Sequence, residues 1–337
     1  MLRLILVRLL GAVPVLLLVS MAIFALLRLA PGDAATLLLP EDATEQDVID
    51  ARARWGLDQP IWVQYGRFLA NITRLDLGRS YRYQEDVFVL IGERLSATLE
   101  LSLMALVLAV VVAVPLGVLA ALRKGKLTDG LVSVIAISGV SAPSFWIGIL
   151  LVLVVSGQFN LLPWSGRLPY GLDLPDVTGF VLLDAMLAGR PDAFRTGLAH
   201  LLLPSITLSL AMIGIISRIT RSAIIDAGQE EYVFTAVAKG LSTPTIVRRH
   251  LLPNAAIPIA TIIGLELGVL VSGSIVVEVV FSWPGLGTLL FQAVSVRDIP
   301  LTTGIVVVYT ALFIVLNVVI DALYVLIDPR LRARGMN

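Results

Sequence analysis

Leu101–Leu122 reads LSLMALVLAVVVAVPLGVLAAL and contains no charged side chain. Glu100 precedes it and Arg123 follows it, so charges return only where the apolar stretch ends. A helix needs about 20 predominantly apolar residues to cross the hydrocarbon core of a bilayer. This stretch therefore predicts a membrane-spanning helix.

Five further stretches are predominantly apolar, although the fifth span contains two acids, so the sequence predicts six spans in all. The others are Leu9–Leu27, Leu131–Ser156, Thr196–Ser217, Ala255–Phe281 and Ile299–Ile320. A shorter apolar run, Val177–Ala188, is interrupted by Asp184. A run of that length is expected to lie in the membrane interface or to pack on the protein rather than to cross the bilayer.

The composition of the chain also indicates an integral membrane protein. Of 337 residues, 57% are hydrophobic and only 15% are charged, against about 25% in soluble domains. The 25 basic and 25 acidic residues cancel, so no bulk charge points to nucleic acid. The sequence has no cysteine and only two histidines, which argues against disulfides, thiol catalysis and a zinc site.

Lysine and arginine in the short loops and tails predict the orientation. They concentrate in both tails and in the loops after spans two and four: Arg3, Arg8, Arg123, Lys124, Lys126, Arg218, Arg221, Lys239, Arg248, Arg249, Arg330, Arg332 and Arg334. The loop between spans five and six has only Arg297. Because cytoplasmic loops carry the excess of positive charge, both termini are predicted to face the cytoplasm.

The segment after the first span contains two predicted helices. Thr44 is a suitable N-cap for the first, with acids in the first turn and Gly56 as a stop. Pro60 opens the second, Ile61–Ile72, which carries aromatic residues on one side. Two interpretations stay open: a small cap or lateral clamp on the outer face, or helices that lie on the membrane surface.

The loop between spans four and five, Arg221–Asn254, is longer than a turn requires. Within it, Glu230–Lys239 is compatible with a helix that ends at Gly240. A second helical run, Thr245–Leu251, is expected to stop at Pro253. On physical grounds alone, a docking surface for a cytosolic protein and an ordinary solvated connector are equally good interpretations.

This loop resembles the cytoplasmic coupling loop of the permease subunits of ABC importers. That loop has the general form E-A-A, three residues, G, nine residues, I, one residue, L-P. Glu231-Tyr232-Val233-Phe234-Thr235-Ala236-Val237-Ala238-Lys239-Gly240-Leu241 and Leu252-Pro253 have its spacing. Phe234, Thr235 and His250 stand where the pattern has Glu, Ala and Ile. The residues Thr235–Leu241 are similar to the corresponding sequence in the dipeptide, oligopeptide and nickel branch of this family.

Other stretches resemble the same branch, and together they extend the resemblance over essentially the whole chain. In order, they are Leu29-Ala30-Pro31-Gly32-Asp33, Gly56-Leu57-Asp58-Gln59-Pro60 before Gln64-Tyr65, Asp76-Leu77-Gly78-Arg79-Ser80, Glu278–Gly287, and Asn317 to Asp321-x-x-Tyr324 with Asp328-Pro329-Arg330. Leu75 departs from the usual Gly before the third of these. The chain resembles the first permease subunit of a peptide-type importer.

The resemblance implies a fold and a division into segments. The fold is an all-α integral membrane protein with six transmembrane helices, a helical outer segment after helix 1 and a cytoplasmic coupling helix between helices 4 and 5. The expected segments are residues 1–30 for the N-tail and first helix, 31–97 for the outer segment, 98–327 for the permease core with its coupling loop 221–254, and 328–337 for the C-tail.

The resemblance also implies partners and a coupling site. A second related permease, two P-loop ATPase subunits and an extracytoplasmic solute-binding protein are expected, and ATP and Mg would bind the ATPases. This chain has no G-x-x-x-x-G-K-[S/T] motif, is not expected to be an enzyme and needs no cofactor of its own. The expected ATPase-coupling residues are Glu231, Thr235, Ala236, Lys239, Gly240, Leu241, Leu252 and Pro253. The expected cargo is peptide.

Two acids in the fifth span, Glu266 and Glu278, are candidates for the pathway or its gate, because an intramembrane carboxylate tends to face the bundle interior or a water-filled path. Ser272 and Ser274 are small residues that allow close helix approach or a smooth pathway wall. A packing role for the acids is an equally good interpretation. Glu278 is expected near the outer end, where it is half solvated or shapes a gate, and Glu266 deeper.

The main rival function is an ion-coupled secondary transporter that uses Glu266. Such a protein needs ion-binding groups at the midplane and often an inverted repeat, and no internal repeat is evident. An intramembrane hydrolase lacks a nucleophile with an evident base, and a channel does not explain the long coupling-type loop. An ATP-coupled permease is therefore the preferred hypothesis.

Overall fold

The computed structural model describes residues 2–29, 35, 36, 39, 42–74 and 76–327, without the side chains of residues 2–10, 271–273 and 321–327. In chain order its helices are α1 Leu2–Leu29, α2 Glu45–Arg54, α3 Ile61–Ile72, α4 Val87–Leu122, α5 Leu127–Ser141, α6 Ser144–Leu151, α7 Val181–Leu187, α8 Pro191–Gly228, α9 Glu231–Ala238, α10 Thr243–Ile246, α11 Leu252–Gly273, α12 Ile275–Val280, α13 Leu286–Ser295 and α14 Ile299–Ile327. A π-helical turn, Val152–Gln158, follows α6, and another, Val247–Leu251, joins α10 to α11.

The predicted all-helical membrane architecture is confirmed. Within the described residues, five helices are long and apolar enough to cross a bilayer: Gly11–Leu29, Val87–Leu122, Pro191–Gly228, Thr243–Leu270 and Ile299–Ile320. A sixth crossing is made if α5 and the continuous stretch Ser144–Gln158 count as one broken span.

The third predicted span, Leu131–Ser156, is not one straight helix. Its two halves meet at an angle of 101°. The break lies at Ala142 and Pro143, where Ala142 has an extended backbone with ψ of 131°. The ring of a proline disfavours the helical conformation of the residue before it, and proline has no N–H to continue the hydrogen-bond ladder. The bend therefore follows from Pro143.

The fifth predicted span, Ala255–Phe281, also differs from expectation at both ends. Its helix begins earlier, because α10 runs through the π-helical turn into α11 and Pro253 does not stop it. A π-helical turn relaxes the ladder just where Pro253 cannot donate. At the other end the helix breaks at Ser274, so Glu266 lies on α11 and Glu278 on α12.

Helix α8 lies at the centre of the bundle because glycines let its neighbours approach closely. A Cβ on Gly117 of α4 would lie 2.6 Å from the carbonyl oxygen of Ser217 on α8. A Cβ on Gly139 of α5 would lie 2.6 Å from the carbonyl oxygen of Leu210, and Gly214 of α8 meets the α5 backbone in the same crossing. Small residues permit such backbone contact between helices in a membrane.

The outer-segment helices form where the sequence predicts them, and α3 packs against α1. Thr44 caps α2 in a reciprocal capping box with Asp47. Tyr65 of α3 donates its hydroxyl hydrogen bond to the carbonyl oxygen of Leu17 on α1 at 3.1 Å, and its ring lies 5.5 Å from Phe24. These contacts favour the lateral-clamp interpretation, while Trp62, at the start of α3, is 77% exposed.

The stretch Asp76–Ser80 fastens the outer segment to the bundle. The N–H of Gly78 donates to the Asp76 carboxylate at 2.7 Å, and the N–H of Val87 donates to the Gly78 carbonyl at 3.0 Å. Ser80 donates its hydroxyl hydrogen bond to Asp298, which is fully buried just before α14. The turn that leads to this contact begins at Gly78, which has a φ of 81°. This left-handed conformation favours glycine.

The short apolar run Val177–Ala188 is not a span, as predicted. Its helical part, α7, packs on α8, with Ala185 buried and Met186 exposed. Asp184, the acid that interrupts the run, is buried. Its carboxylate accepts hydrogen bonds from the N–H and the hydroxyl of Thr178, so the buried charge has partners.

Several sequence predictions fall outside the described residues. They concern Ala30–Asp33, Leu75, Asp328-Pro329-Arg330, Arg332 and Arg334, and the side chains of Arg3, Arg8 and Ser272.

Candidate functional site

The candidate coupling helix α9 follows the long helix α8 almost directly. Helix α8 ends at Gly228, and α9 begins at Glu231. The predicted helix Glu230–Lys239 with its stop at Gly240 is therefore present. Helix α8 packs on α4, α5 and α11, so α9 is joined directly to the central helix of the bundle.

The end of α9 is closed by a Schellman motif centred on Gly240. The N–H of Gly240 donates to the Val237 carbonyl at 2.9 Å, and the N–H of Leu241 donates to the Ala236 carbonyl at 3.2 Å. Gly240 has φ of 73°, which L side chains rarely adopt. A Cβ there would meet no atom within 4 Å, so the requirement for glycine comes from the backbone alone.

One face of α9 packs against the rest of the chain. Val233 and Ala236 are buried in an apolar cluster that includes Ile224 of α8 and Leu251 before α11. Tyr232 lies beside them, with its ring 6.2 Å from that of His250, and partial burial raises the pKa of its phenol. This face joins α9 to α8 and α11 as one packed unit.

A second face of α9 is apolar and exposed. Phe234 is 65% exposed and Val237 is 59% exposed. Each follows one member of the buried pair Val233 and Ala236 by one position, which turns it by about 100° around the helix axis, and the three-residue spacing puts Phe234 and Val237 on the same face. In the sequence, Phe234 stands out only as a departure from the family pattern. Its i, i+3 spacing to Val237 is the signal that identifies this surface.

The predicted coupling residues divide between exposed and buried positions. Ala236 is buried under α9 and Leu252 is half-buried at the start of α11. The others are exposed: Glu231, Thr235, Lys239, Gly240, Leu241 and Pro253. Thr235 donates its hydroxyl hydrogen bond to the Glu231 carbonyl at 3.2 Å, within α9. The structure thus exposes six of the eight predicted coupling residues and buries Ala236 beneath α9.

A salt bridge that the sequence did not predict lies next to this unit. Nε of Arg221 on α8 donates to Oδ1 of Asp129 on α5 at 2.6 Å, and Nη2 donates to Oδ2 at 2.8 Å. The N–H of Gly125 also donates to Asp129 at 2.9 Å. A bidentate arginine–carboxylate pair fixes geometry as well as charge. It ties the cytoplasmic part of α8 to the loop between α4 and α5.

The two intramembrane acids lie in different surroundings. Glu266 on α11 is 9% exposed and has no hydrogen-bond partner among the described residues. Ile262 and Leu270, one turn away on either side, pack into the apolar core with α4 and α8. Glu266 therefore faces the interior of the bundle.

Glu278 is fully buried rather than half solvated. Its Oε1 accepts hydrogen bonds from Ser274 and Thr98, each at 2.9 Å, and its Oε2 accepts from the N–H of Thr288 at 3.1 Å. The candidates Ser274 and Glu278 are thus in direct contact, while Glu266 is on another helix. A carboxylate that accepts from α4, from α13 and from the break between α11 and α12 is a structural anchor where these segments meet.

Comparison with known proteins identifies the family. Residues 113–333 match the family described as binding-protein-dependent transport system inner membrane component, and residues 1–102 match the corresponding N-terminal family. The chain belongs to this family. It is therefore a multi-pass membrane protein and a permease subunit of an ABC importer, as the sequence predicted.

Curated relatives of this permease extend over nearly its whole length. The probable D,D-dipeptide transport system permease protein DdpB of Escherichia coli K12 is 41% identical, covering 93% of this chain and 92% of the relative. The di/tripeptide transport system permease protein DppB of Pseudomonas aeruginosa UCBPP-PA14 is 39% identical, with 93% and 94% covered. The dipeptide transport system permease protein DppB of E. coli K12 is 37% identical, with 98% and 99% covered.

A solved structure has the same fold. The inward-facing MetNI methionine ABC transporter matches with a TM-score of 0.53 at 17% identity, covering 72% of this permease and 97% of that chain. Family membership implies that this permease works with an ATPase and a binding protein. It also disfavours the rival hypothesis of an ion-coupled secondary transporter that uses Glu266.

Proposed function

We propose that this permease forms half of the translocation path of an ATP-driven importer for di- or oligopeptides. The names of three relatives that cover more than nine-tenths of the chain specify dipeptides, tripeptides or D,D-dipeptides, and these support peptide as the cargo. The other half of the path is a second, related permease chain. Two P-loop ATPases bind ATP and Mg on the inner side, and a solute-binding protein delivers the peptide outside.

The observation that carries the coupling role is the two-faced helix α9. Its inner face, with Val233 and Ala236, is packed against α8 and α11, whereas Phe234 and Val237 leave apolar surface exposed. Apolar surface that is covered by a partner contributes roughly 25 cal/mol per Å² to association. A groove on an ATPase subunit that covers this face would hold α9 by Phe234 and Val237.

Transmission follows from the rigidity of the same helix. The Schellman motif at Gly240 keeps α9 short and closed, and two residues separate it from α8. When the ATPase pair closes, α9 moves as a rigid body and displaces α8, which packs on α4, α5 and α11. Glu231 and Lys239, at the two ends of α9, then flank the contact with the ATPase.

The test is co-purification of the tagged permease with its ATPase in mild detergent, together with ATP-driven peptide uptake. Phe234→Asp with Val237→Asp is expected to abolish ATPase capture and uptake, because two carboxylates are buried without partners. Leu127→Asp is the matched control, since Leu127 is 79% exposed outside α9. If the double variant captures the ATPase as wild type does, the proposed role of α9 is wrong. If wild type transports no peptide with ATP, the proposed cargo is wrong.

A further inference from the structure

A cleft of about 400 Å³ opens on the outer side, between the start of α4 and the α12–α13 turn. Small-molecule sites typically measure about 300–1,000 Å³ and combine apolar walls with a few polar groups. Arg94 lines the cleft from α4, while Ser282 lies in the turn and Gln292 on α13. Two residues of its lining, Gly285 and Thr288, are in contact with the buried anchor Glu278.

The polar groups in this cleft are free to donate hydrogen bonds. Half-buried Arg94 has no hydrogen bond or ion pair among the described residues. The amide oxygen of Gln292 accepts a hydrogen bond from the Tyr83 hydroxyl at 2.9 Å. The N–H₂ group of the same amide points away from Tyr83 and is left as a donor. The hydroxyl of Ser282 has no hydrogen-bond partner among the residues that the structure describes. These three groups offer donors, and one of them is a cation.

The described lining of the cleft contains no carboxylate to neutralise Arg94. Glu278, the acid that contacts the lining, has both oxygens engaged by Thr98, Ser274 and Thr288. The lining also contains Thr288, whose N–H and hydroxyl are already bonded to Glu278 and to the Trp283 carbonyl, and apolar side chains that include Leu289 and the exposed ring of Phe291. A ligand that fits has an anionic, hydrogen-bond-accepting end beside an apolar side chain.

We infer that this cleft holds the C-terminal carboxylate of the peptide as it leaves the binding protein, with Arg94 as its partner. The inference rests on the proposed peptide cargo. A peptide C-terminus has a pKa of about 3.3–3.7 and is ionised at neutral pH. The guanidinium group matches a carboxylate in two parallel hydrogen bonds, Gln292 and Ser282 contribute further donors, and Leu289 and Phe291 contact the last side chain.

The test uses the complete importer in proteoliposomes, with radiolabelled alanyl-phenylalanine supplied on saturating binding protein. Arg94→Gln is expected to lower the maximal uptake rate about tenfold, because one charged hydrogen bond to the peptide is lost. The concentration of loaded binding protein that gives half-maximal uptake is expected to stay unchanged. Arg94→Lys restores part of the rate because it keeps the charge. Arg82→Gln, at an exposed outer arginine that does not line the cleft, is the matched control and is expected to behave as wild type.

A second measurement locates the peptide. Alanyl-p-benzoylphenylalanine is photolysed during transport, and adducts are expected on Leu289 or Phe291 in wild type and to be lost in Arg94→Gln. Equal rates and equal adducts in Arg94→Gln and Arg82→Gln overturn the inference. A raised half-saturation with an unchanged maximal rate also overturns it, because the carboxylate then belongs to the binding protein. Absence of any ATP-driven uptake by wild type is instead a failure of the proposed function.

Discussion

The hydroxyl of Thr98 donates a hydrogen bond to Oε1 of Glu278 at 2.9 Å, and both side chains are fully buried. The same hydroxyl oxygen accepts the N–H of Leu286 at 2.8 Å. One carboxylate and one hydroxyl thus join α4, α12 and the start of α13. An ionisable group persists in an apolar interior only where donors surround it, and Glu278 meets that condition.

Replacement of Glu278 should destabilise the outer side of the helix bundle and leave the structure of α9 unchanged. Glu278→Gln places an amide N–H₂ group where only donors are present, with an expected cost of about 1–2 kcal/mol. Glu278→Ala leaves several donors unpaired and should cost more. The midpoint of thermal unfolding in mild detergent should fall in that order. A midpoint for Glu278→Gln equal to that of wild type would show that the network is not stabilising.

Gly285 should be intolerant of any side chain, because a Cβ there would collide with Glu278 and with Oγ1 of Thr98. Both contacts belong to the anchor and cannot shift without loss of a hydrogen bond. Gly285→Ala is therefore expected to lower the unfolding midpoint. The matched control is Gly92→Ala on α4, where a Cβ meets nothing within 4 Å and alanine favours the helix. Equal midpoints for the two variants would contradict the prediction.

The contact between Ser80 and Asp298 should control how firmly the outer segment is held. Asp298 accepts hydrogen bonds from Ser80, from the N–H of Arg82 at 3.0 Å and from the N–H of Leu301 at 3.2 Å. Asp298→Ala leaves these donors unpaired, so limited proteolysis between Asp42 and Tyr83 should accelerate. Exposed Asp58→Ala is the control and should be cleaved like wild type. A cleavage rate of Asp298→Ala equal to that of wild type would show that Asp298 does not anchor the outer segment.

Most of the span pattern could be predicted from the sequence because apolar length is a local property of the chain. The stop of α9 at Gly240 is local as well, since the αL backbone and the glycine occur at one position. The bend at Pro143 is different, because a proline inside an apolar run is compatible with a slight kink or a sharp bend. The observed angle of 101° is a property of the folded bundle, in which α5 and α6 both pack on α8.

The anchors of the candidate site could not be predicted because their partners are distant in sequence. Ser80 and Asp298 are 218 residues apart, and Asp129 and Arg221 are 92 residues apart. No periodicity or motif connects such pairs. Glu278 was identified as an intramembrane acid from its position alone, but Thr98, one of its donors, is 180 residues away in the sequence.

Gly240 should be replaceable only by a residue that tolerates a left-handed backbone. Gly240→Val forces a β-branched residue to φ near 73°, at a cost of roughly 1–2 kcal/mol, and opens the end of α9. ATPase capture and peptide uptake should both fall. Gly240→Asn adds a larger side chain but adopts this conformation readily, so it should keep most of both activities. If asparagine fails as valine does, side-chain volume at the ATPase contact, rather than the backbone, is decisive.

The Asp129–Arg221 salt bridge should matter for transmission rather than for ATPase capture, because it ties α8 to α5 and lies away from the exposed face of α9. Arg221→Gln leaves a largely buried Asp129 with only the N–H of Gly125 as a donor, so uptake should fall while the ATPase still co-purifies. The reversed pair, Asp129→Arg with Arg221→Asp, should recover uptake in part, since the charges again attract but Gly125 then faces a cation. Arg218→Gln, one turn earlier on α8 and exposed, is the control. Loss of ATPase capture in Arg221→Gln would mean that the bridge supports α9 itself, and full uptake would mean that α8 moves independently of α5.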